Sequence, residues 1–168
     1  FENPANPKAH LMHTAVEILE QAGKLIHGFC CGIGTGGTIS GIGKMLKSEN
    51  PTTEIWAVEP ENAAILSGGA IGTHLQMGIG DGLIPANLNP PVLDQDIYDE
   101  VCVITDKEAL ETARELARRE GLLVGISSGS NVAAAIRLAR KLGRGKTVVT
   151  ILPDTAERYF STPLFENE

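Results

Sequence analysis

Leu25-Ile26-His27-Gly28-Phe29-Cys30-Cys31 runs straight into Gly32-Ile33-Gly34-Thr35-Gly36-Gly37-Thr38, after which Ile39, Ile42, Met45 and Leu46 recur at helical spacing. The first seven residues form a nearly continuous apolar run, as expected of a strand covered on both faces. The glycines then make a loop, and the spacing beyond them predicts a helix. A buried strand that turns through glycines into a helix is the repeating unit of an α/β fold.

The same grammar recurs on either side. Asn6-Pro7 reads as an N-cap with proline at the first helical position. Leu11, Ala15, Ile18, Leu19 and Ala22 follow at helical spacing, and Gly23 closes that helix. Glu54 to Glu59 reads as a strand stopped by Pro60. Residues 61–91 are irregular, with Ser67-Gly68-Gly69 and Gly78-Ile79-Gly80-Asp81-Gly82, and read as a short helix plus functional loops. Val101 to Thr105 is a strand, Thr105-Asp106-Lys107-Glu108 a capping box, and the helix after it ends at Gly121. A third unit reads as an apolar strand Leu122 to Ile126, a turn Ser127-Ser128-Gly129-Ser130, and a helix ending before Gly143. Thr147 to Leu152 is a last strand. The expected fold is α/β, with a largely parallel sheet flanked by helices.

A strand-to-helix glycine loop aims the unpaired N–H groups of the helix's first turn, and its dipole, at one spot that favours an anion. Glycine lets the backbone come close to that anion, and the hydroxyls of Thr35 and Thr38 add neutral donors. A phosphate is the natural guest. No Lys-Ser or Lys-Thr pair directly follows these glycines, so the loop is not that of a nucleoside-triphosphate hydrolase. A dinucleotide fingerprint stays open: Gly32, Gly34 and Gly37 satisfy G-x-G-x-x-G, and Glu59 ends the next strand. Gly125-Ile126-Ser127-Ser128-Gly129 is a second polar turn, which a plain dinucleotide domain does not need. It suits a hydroxyl partner for a ring nitrogen opposite the phosphate; the other reading is that Ser127 or Ser128 caps the helix.

Composition narrows the classes. A chain of 168 residues with 42% apolar residues has material for one core. The 19 glycines, about 11% against a usual 7% or so, cluster instead of following a G-X-Y period, which excludes collagen. Net charge of −7 argues against nucleic-acid partners. Three cysteines, two of them adjacent, fit neither a disulfide framework nor a C-x-x-C metal site, and a reduced, cytoplasmic setting is expected. Cys30 and Cys31, on a buried strand, read as structural. No apolar run is long enough for a membrane helix. The start at Phe1-Glu2-Asn3-Pro4, without Met, reads as the middle of a longer protein.

Asn3-Pro4-Ala5-Asn6-Pro7, Gly34-Thr35-Gly36-Gly37-Thr38, Val58-Glu59-Pro60, Gly78-Ile79-Gly80, Gly121 to Gly129 and Leu152-Pro153-Asp154 with Glu157-Arg158-Tyr159 together resemble the cysteine synthase (O-acetylserine sulfhydrylase) family. These are fold type II pyridoxal-phosphate enzymes with a tryptophan synthase β-like architecture, and the resemblance spans nearly the whole chain. It implies pyridoxal 5′-phosphate held as a lysine Schiff base, and formation of L-cysteine from O-acetyl-L-serine and sulfide with release of acetate. Cystathionine β-synthase and O-phosphoserine sulfhydrylase share the motifs.

By the same resemblance Gly34, Thr35, Gly36, Gly37 and Thr38 would hold the cofactor phosphate. Ser127, with Ser128 as fallback, would meet the pyridine nitrogen. Gly78 to Gly82 would line an entrance that moves on closure. A homodimer is implied, as is docking of the C-terminal tail of serine acetyltransferase. The chain departs from the family at Thr155-Ala156, usually Ser-Gly, and at Cys30-Cys31, more often Val-Ala. Lys8, Lys24, Lys44, Lys47, Lys107, Lys141 and Lys146 all lie outside the family's catalytic context. Residues 1–168 are therefore expected to be the C-terminal, cofactor-phosphate-binding portion, inactive alone, with the Schiff-base lysine in an N-terminal region absent from this chain.

Overall fold

Four strands lie side by side and all parallel: β1 (Gly28–Gly32), β2 (Glu54–Pro60), β3 (Glu100–Ile104) and β4 (Val148–Thr150), in the spatial order β3-β2-β1-β4. They come from a computed structural model that describes residues 2–80 and 92–166. Registers are Gly28 opposite Glu54 and Val148, and Trp56 opposite Glu100. The helices are α1 (Ala5–Ala9), continued through a π-helical turn (His10–Thr14) into α2 (Ala15–Ala22), then α3 (Gly37–Glu49), α4 (Asp106–Glu115) and α5 (Ile126–Leu142).

Alternation along the strands sorts side chains into two cores. Phe29, Cys31, Ile55 and Ala57 point to one face, where they meet Ile39, Ile42 and Leu46 of α3 and Ala15 of α2. Cys30, Trp56 and Val58 point to the other, against Ala109 and Ala113 of α4 and Ala134 and Leu138 of α5. Both faces of the central strands are thus covered, which is why β1 and β2 read as apolar runs with no polar period. The two helices on the second face touch at Gly129, where a Cβ would overlap the carbonyl oxygen of Ala109.

The capping box forms as the sequence predicts: Glu108 N donates to Thr105 Oγ1 and Thr105 N to Glu108 Oε2, both at 3.1 Å. Gly23 and Gly143 follow their helices with positive φ of 85° and 84°.

Three local expectations are corrected. The first helix begins at Ala5, one residue before the expected cap, because Asn3 Oδ1 accepts the Ala5 N–H at 2.9 Å; Asn6 lies inside the helix. Residues 122–125 join no sheet: Val124 makes one isolated antiparallel bridge to Thr155, and Gly125 N donates to Asp154 O. A short apolar run cannot by itself separate a strand from a buried approach to a helix. The serine turn is helical, since α5 starts at Ile126 with Gly125 as N-cap, so neither Ser127 nor Ser128 caps it.

Candidate cofactor-binding site

β1 connects onward to β2 on one side, while β4 pairs with β1 on the other. In open parallel sheets ligands bind beyond the carboxyl ends of the strands where the order reverses in this way. A cavity of about 330 Å³ lies there. Gly34, Thr35, Gly36 and Thr38 line it from the glycine loop, Ser127 and Asn131 from α5, and Met77, Gly78 and Ile79 from the segment before the undescribed residues.

The loop is shaped for an anion. Gly36, the N-cap of α3, is left-handed at φ 83°, a conformation side-chain-bearing residues rarely adopt. At Gly34 a Cβ would stand 2.7 Å from the carbonyl oxygen of Gly78. Thr35 Oγ1 accepts from Asn6 Nδ2 at 2.9 Å and from Gly37 N at 3.3 Å, so both lone pairs are engaged and its O–H is left to donate. Thr38 Oγ1 lies 3.2 Å from His10 Nε2, and His10 Nδ1 lies 3.1 Å from Thr14 Oγ1. Burial holds the His10 pKa below its usual value, which favours the neutral ring. Gly37 is not on the cavity wall. A Cβ there would overlap the Asn6 side-chain amide and force it to shift.

At the far end α5 also presents its N-terminus. Ser127 is nearly fully buried and on the wall. Ser128, one residue on, is fully buried, lies off the wall, and its Oγ has no partner among the described residues. Ser127 therefore fits the ring-facing role better than its fallback. Sequence reasoning passed over three residues that build the site. Asn131 lies one helical turn beyond Ser127 on the same face, a spacing legible once the helix start is fixed. Asp154 lies on the wall and accepts from Tyr159 Oη at 2.6 Å, and burial followed by that carboxylate pushes Tyr159 up to about 12. His10 gives no signal of its own before the fold brings it to Thr38.

The Gly78–Gly80 segment is stitched to the loop. Gly78 and Gly80 have φ of 88° and 80°, and Gly80 N donates to Ile33 O at 2.8 Å. Asp81 and Gly82, the rest of that expected loop, lie outside the described residues.

The dinucleotide reading fails at Glu59. This residue is fully buried, with Oε2 accepting from Leu66 N at 2.8 Å and Oε1 from Ser67 N at 3.0 Å, so neither oxygen is left to hold a ribose. A larger groove of about 640 Å³ runs beside α4, but Arg114 in it holds the carbonyls of Pro163, Leu164 and Glu166. It is a packing seam for that segment. All three cysteines are buried; desolvation raises their pKa values, that of Cys30 to about 12, which keeps them as thiols. Among the described residues no lysine lines the cavity.

Neutral donors around a glycine cradle at one end and a buried hydroxyl at the other match a phosphorylated heteroaromatic ring, so pyridoxal 5′-phosphate fits the residues present. The family model for pyridoxal-phosphate dependent enzymes matches residues 1–154. A cysteine synthase of Staphylococcus aureus is 51% identical over 166 residues, covering 98% of this chain and 52% of that protein. The solved O-acetylserine-dependent cystathionine β-synthase of Helicobacter pylori superposes with a TM-score of 0.90 at 40% identity, covering 98% of this chain and 52% of the other. O-acetylserine sulfhydrylase isoform 3 of Entamoeba histolytica gives 0.89 at 36%, covering 99% and 48%. The chain spans about half the length of the curated relatives it matches.

Proposed function

Because the chain belongs to the family of pyridoxal-phosphate dependent enzymes, we propose that it forms the cofactor-phosphate half of an enzyme making L-cysteine from O-acetyl-L-serine and sulfide, with release of acetate. The observation that carries this reading is the convergence of the Gly34–Thr38 loop and Ser127 on one cavity at the sheet's switch point. The relative named a cysteine synthase supports the choice of reaction.

Bound there, pyridoxal phosphate serves as an electron sink for bonds at the substrate's α-carbon. The chain's own residues bind and orient it. Backbone N–H groups around Gly34 and Gly36, with the hydroxyls of Thr35 and Thr38, would hold the phosphate, and Gly37 would serve the loop by its N–H to Thr35 Oγ1. Ser127 Oγ meets the ring nitrogen. A carboxylate in that place would keep the nitrogen protonated, whereas a hydroxyl leaves it neutral, which suits replacement at the β-carbon over transamination. We place the Schiff-base lysine outside residues 1–168, in keeping with a cavity wall that holds no lysine among the described residues.

The full-length protein tests this directly. Expected are a visible absorbance band on addition of pyridoxal phosphate and cysteine formation from O-acetylserine and sulfide; absence of both overturns the reading. Cystathionine β-synthase activity, favoured by the Helicobacter pylori relative's name, and O-phosphoserine sulfhydrylase activity are separated by exchanging sulfide for homocysteine and O-acetylserine for O-phosphoserine. On the family resemblance the reading extends to a transferase, to the cytoplasm, to a homodimer when full length, and to docking of a serine acetyltransferase C-terminal tail. Gel filtration and titration with the tail peptide test the last two.

A further inference from the structure

β1 and β4 pair only as far as Cys30 and Thr150, although β1 stays paired with β2 through Gly32. Beyond that point the two strands part, and the cavity opens between their ends. Parting leaves backbone groups that a continued ladder would have satisfied, and buried groups of that kind are costly unless something else pairs them. One side chain does so. Asn131 Oδ1 accepts from Gly32 N at 2.7 Å, and its Nδ2 donates to Ile151 O at 2.8 Å. Asn131 is only 3% exposed. Its backbone carbonyl is also engaged, accepting from Cys30 Sγ at 3.5 Å.

We infer that Asn131 is a positioning residue that wedges the ends of β1 and β4 apart and so sets the span between the phosphate loop and Ser127. A primary amide is chemically suited to this role, because it carries an acceptor and a donor a fixed distance apart and so replaces a missing rung while keeping the strands separated. Asn131 is tied to Gly32, where the loop begins, and sits four residues after Ser127 on the same helix, so it connects the two ends of the ligand site within one turn of α5. An apolar side chain of similar size would leave Gly32 N–H and Ile151 C=O unpaired, and the strands would recover them by closing on each other across the cavity mouth.

The inference rests on the proposed cofactor. The experiment uses the full-length protein with pyridoxal 5′-phosphate as the probe, reading its dissociation constant, the ³¹P chemical shift of the bound phosphate, and the melting temperature without cofactor. Asn131→Leu is expected to weaken binding about tenfold or more, since a site whose supporting groups shift by about 1 Å no longer holds its ligand in the productive geometry, and to move the ³¹P resonance. Leu138→Ala, in the same helix but in the core remote from the cavity, is expected to lower the melting temperature at least as much while leaving affinity within twofold. If Asn131→Leu does not fold, Asn131→Ser, whose short hydroxyl bridges neither group, carries the same expectation. An Asn131 variant that melts early yet keeps both affinity and ³¹P shift makes the residue a mere structural fastening and overturns the inference. If the unmodified protein fails to bind pyridoxal phosphate, the proposed function fails instead.

Discussion

Asn6 Nδ2 donates to Thr35 Oγ1 at 2.9 Å across 29 positions of sequence, so the first helix is part of the ligand site and not merely a flank. The bond engages a lone pair of Thr35 and leaves its hydroxyl proton for an anion. Asn6 also fills the space that Gly37 leaves by lacking a Cβ. Replacing Asn6 with Ala is expected to cost about 1 kcal/mol of stability and to weaken pyridoxal phosphate binding severalfold. Gly37→Ala, which forces a clash with the Asn6 amide, is expected to cost more. Denaturant unfolding and cofactor titration of both variants check this order.

His10 carries a pH dependence with a defined sign. Burial lowers its folded pKa below the ordinary 6.5, so the unfolded chain takes up the proton first as pH falls. Its contribution to stability is fully present above 6.5 and is lost as pH falls through the folded value. Protonation also makes both ring nitrogens donors, which fixes Thr38 Oγ1 and Thr14 Oγ1 as acceptors. Melting temperature followed from pH 8 to 5 should fall more steeply for the native protein than for His10→Gln, which does not titrate.

Glu59 separates two ligand classes. With both oxygens held by Leu66 N and Ser67 N, Glu59→Gln turns one acceptor into a donor facing an N–H. A loss of about 1–3 kcal/mol is expected, with no titratable binding of NAD before or after the change. Calorimetry with NAD and a thermal melt of the variant measure the two effects.

The three thiols should be inert. Cys30, Cys31 and Cys102 are buried and held protonated by desolvation. An aromatic disulfide reagent at pH 8 is expected to react slowly with the folded protein and to titrate all three thiols once it is unfolded.

What the sequence discloses, and what it withholds, follows from range. The β1–loop–α3 unit was legible because its signal is local: an apolar run, glycines, then a helical period. The Thr105 capping box was legible for the same reason. The third unit misled because, of Leu122 to Ile126, only Val124 and Ile126 fill the second core, Leu122 and Leu123 are exposed, and the segment pairs in no sheet. Asn131 and His10 were illegible as site residues, since each acts through a partner brought near only by the fold, Gly32 and Thr38; Asp154 has its partner Tyr159 only five positions on, but its place on the cavity wall comes from the fold. Glu59 shows the reverse error, a residue in the right motif position whose carboxylate is spent on the backbone.

Gln76 offers the sharpest test of how the Met77–Ile79 wall is held. It is 0% exposed, yet its amide is fully used: Nε2 donates to Ile104 O and Asp106 Oδ1, both at 2.9 Å, and Oε1 accepts from Ser130 Oγ at 2.8 Å. It thereby pins the residue just before the Met77–Ile79 wall to β3, to the start of α4 and to α5. Gln76→Leu removes all three bonds. Ser130 can fall back on Ile126 O, already 3.4 Å away, but Ile104 O and Asp106 lose a partner, and a cost of about 2–3 kcal/mol is expected. Gln76→Glu keeps the size and sets a second carboxyl beside Asp106, so the introduced group's folded pKa rises above its unfolded value. Its favourable share is then present below the unfolded pKa and lost as pH rises through the folded one. Unfolding free energies of the two variants from pH 4 to 8 should therefore diverge, the Glu variant gaining on the Leu variant as the solution is acidified. Parallel curves would mean that Gln76 contributes packing and not the bonds to Asp106.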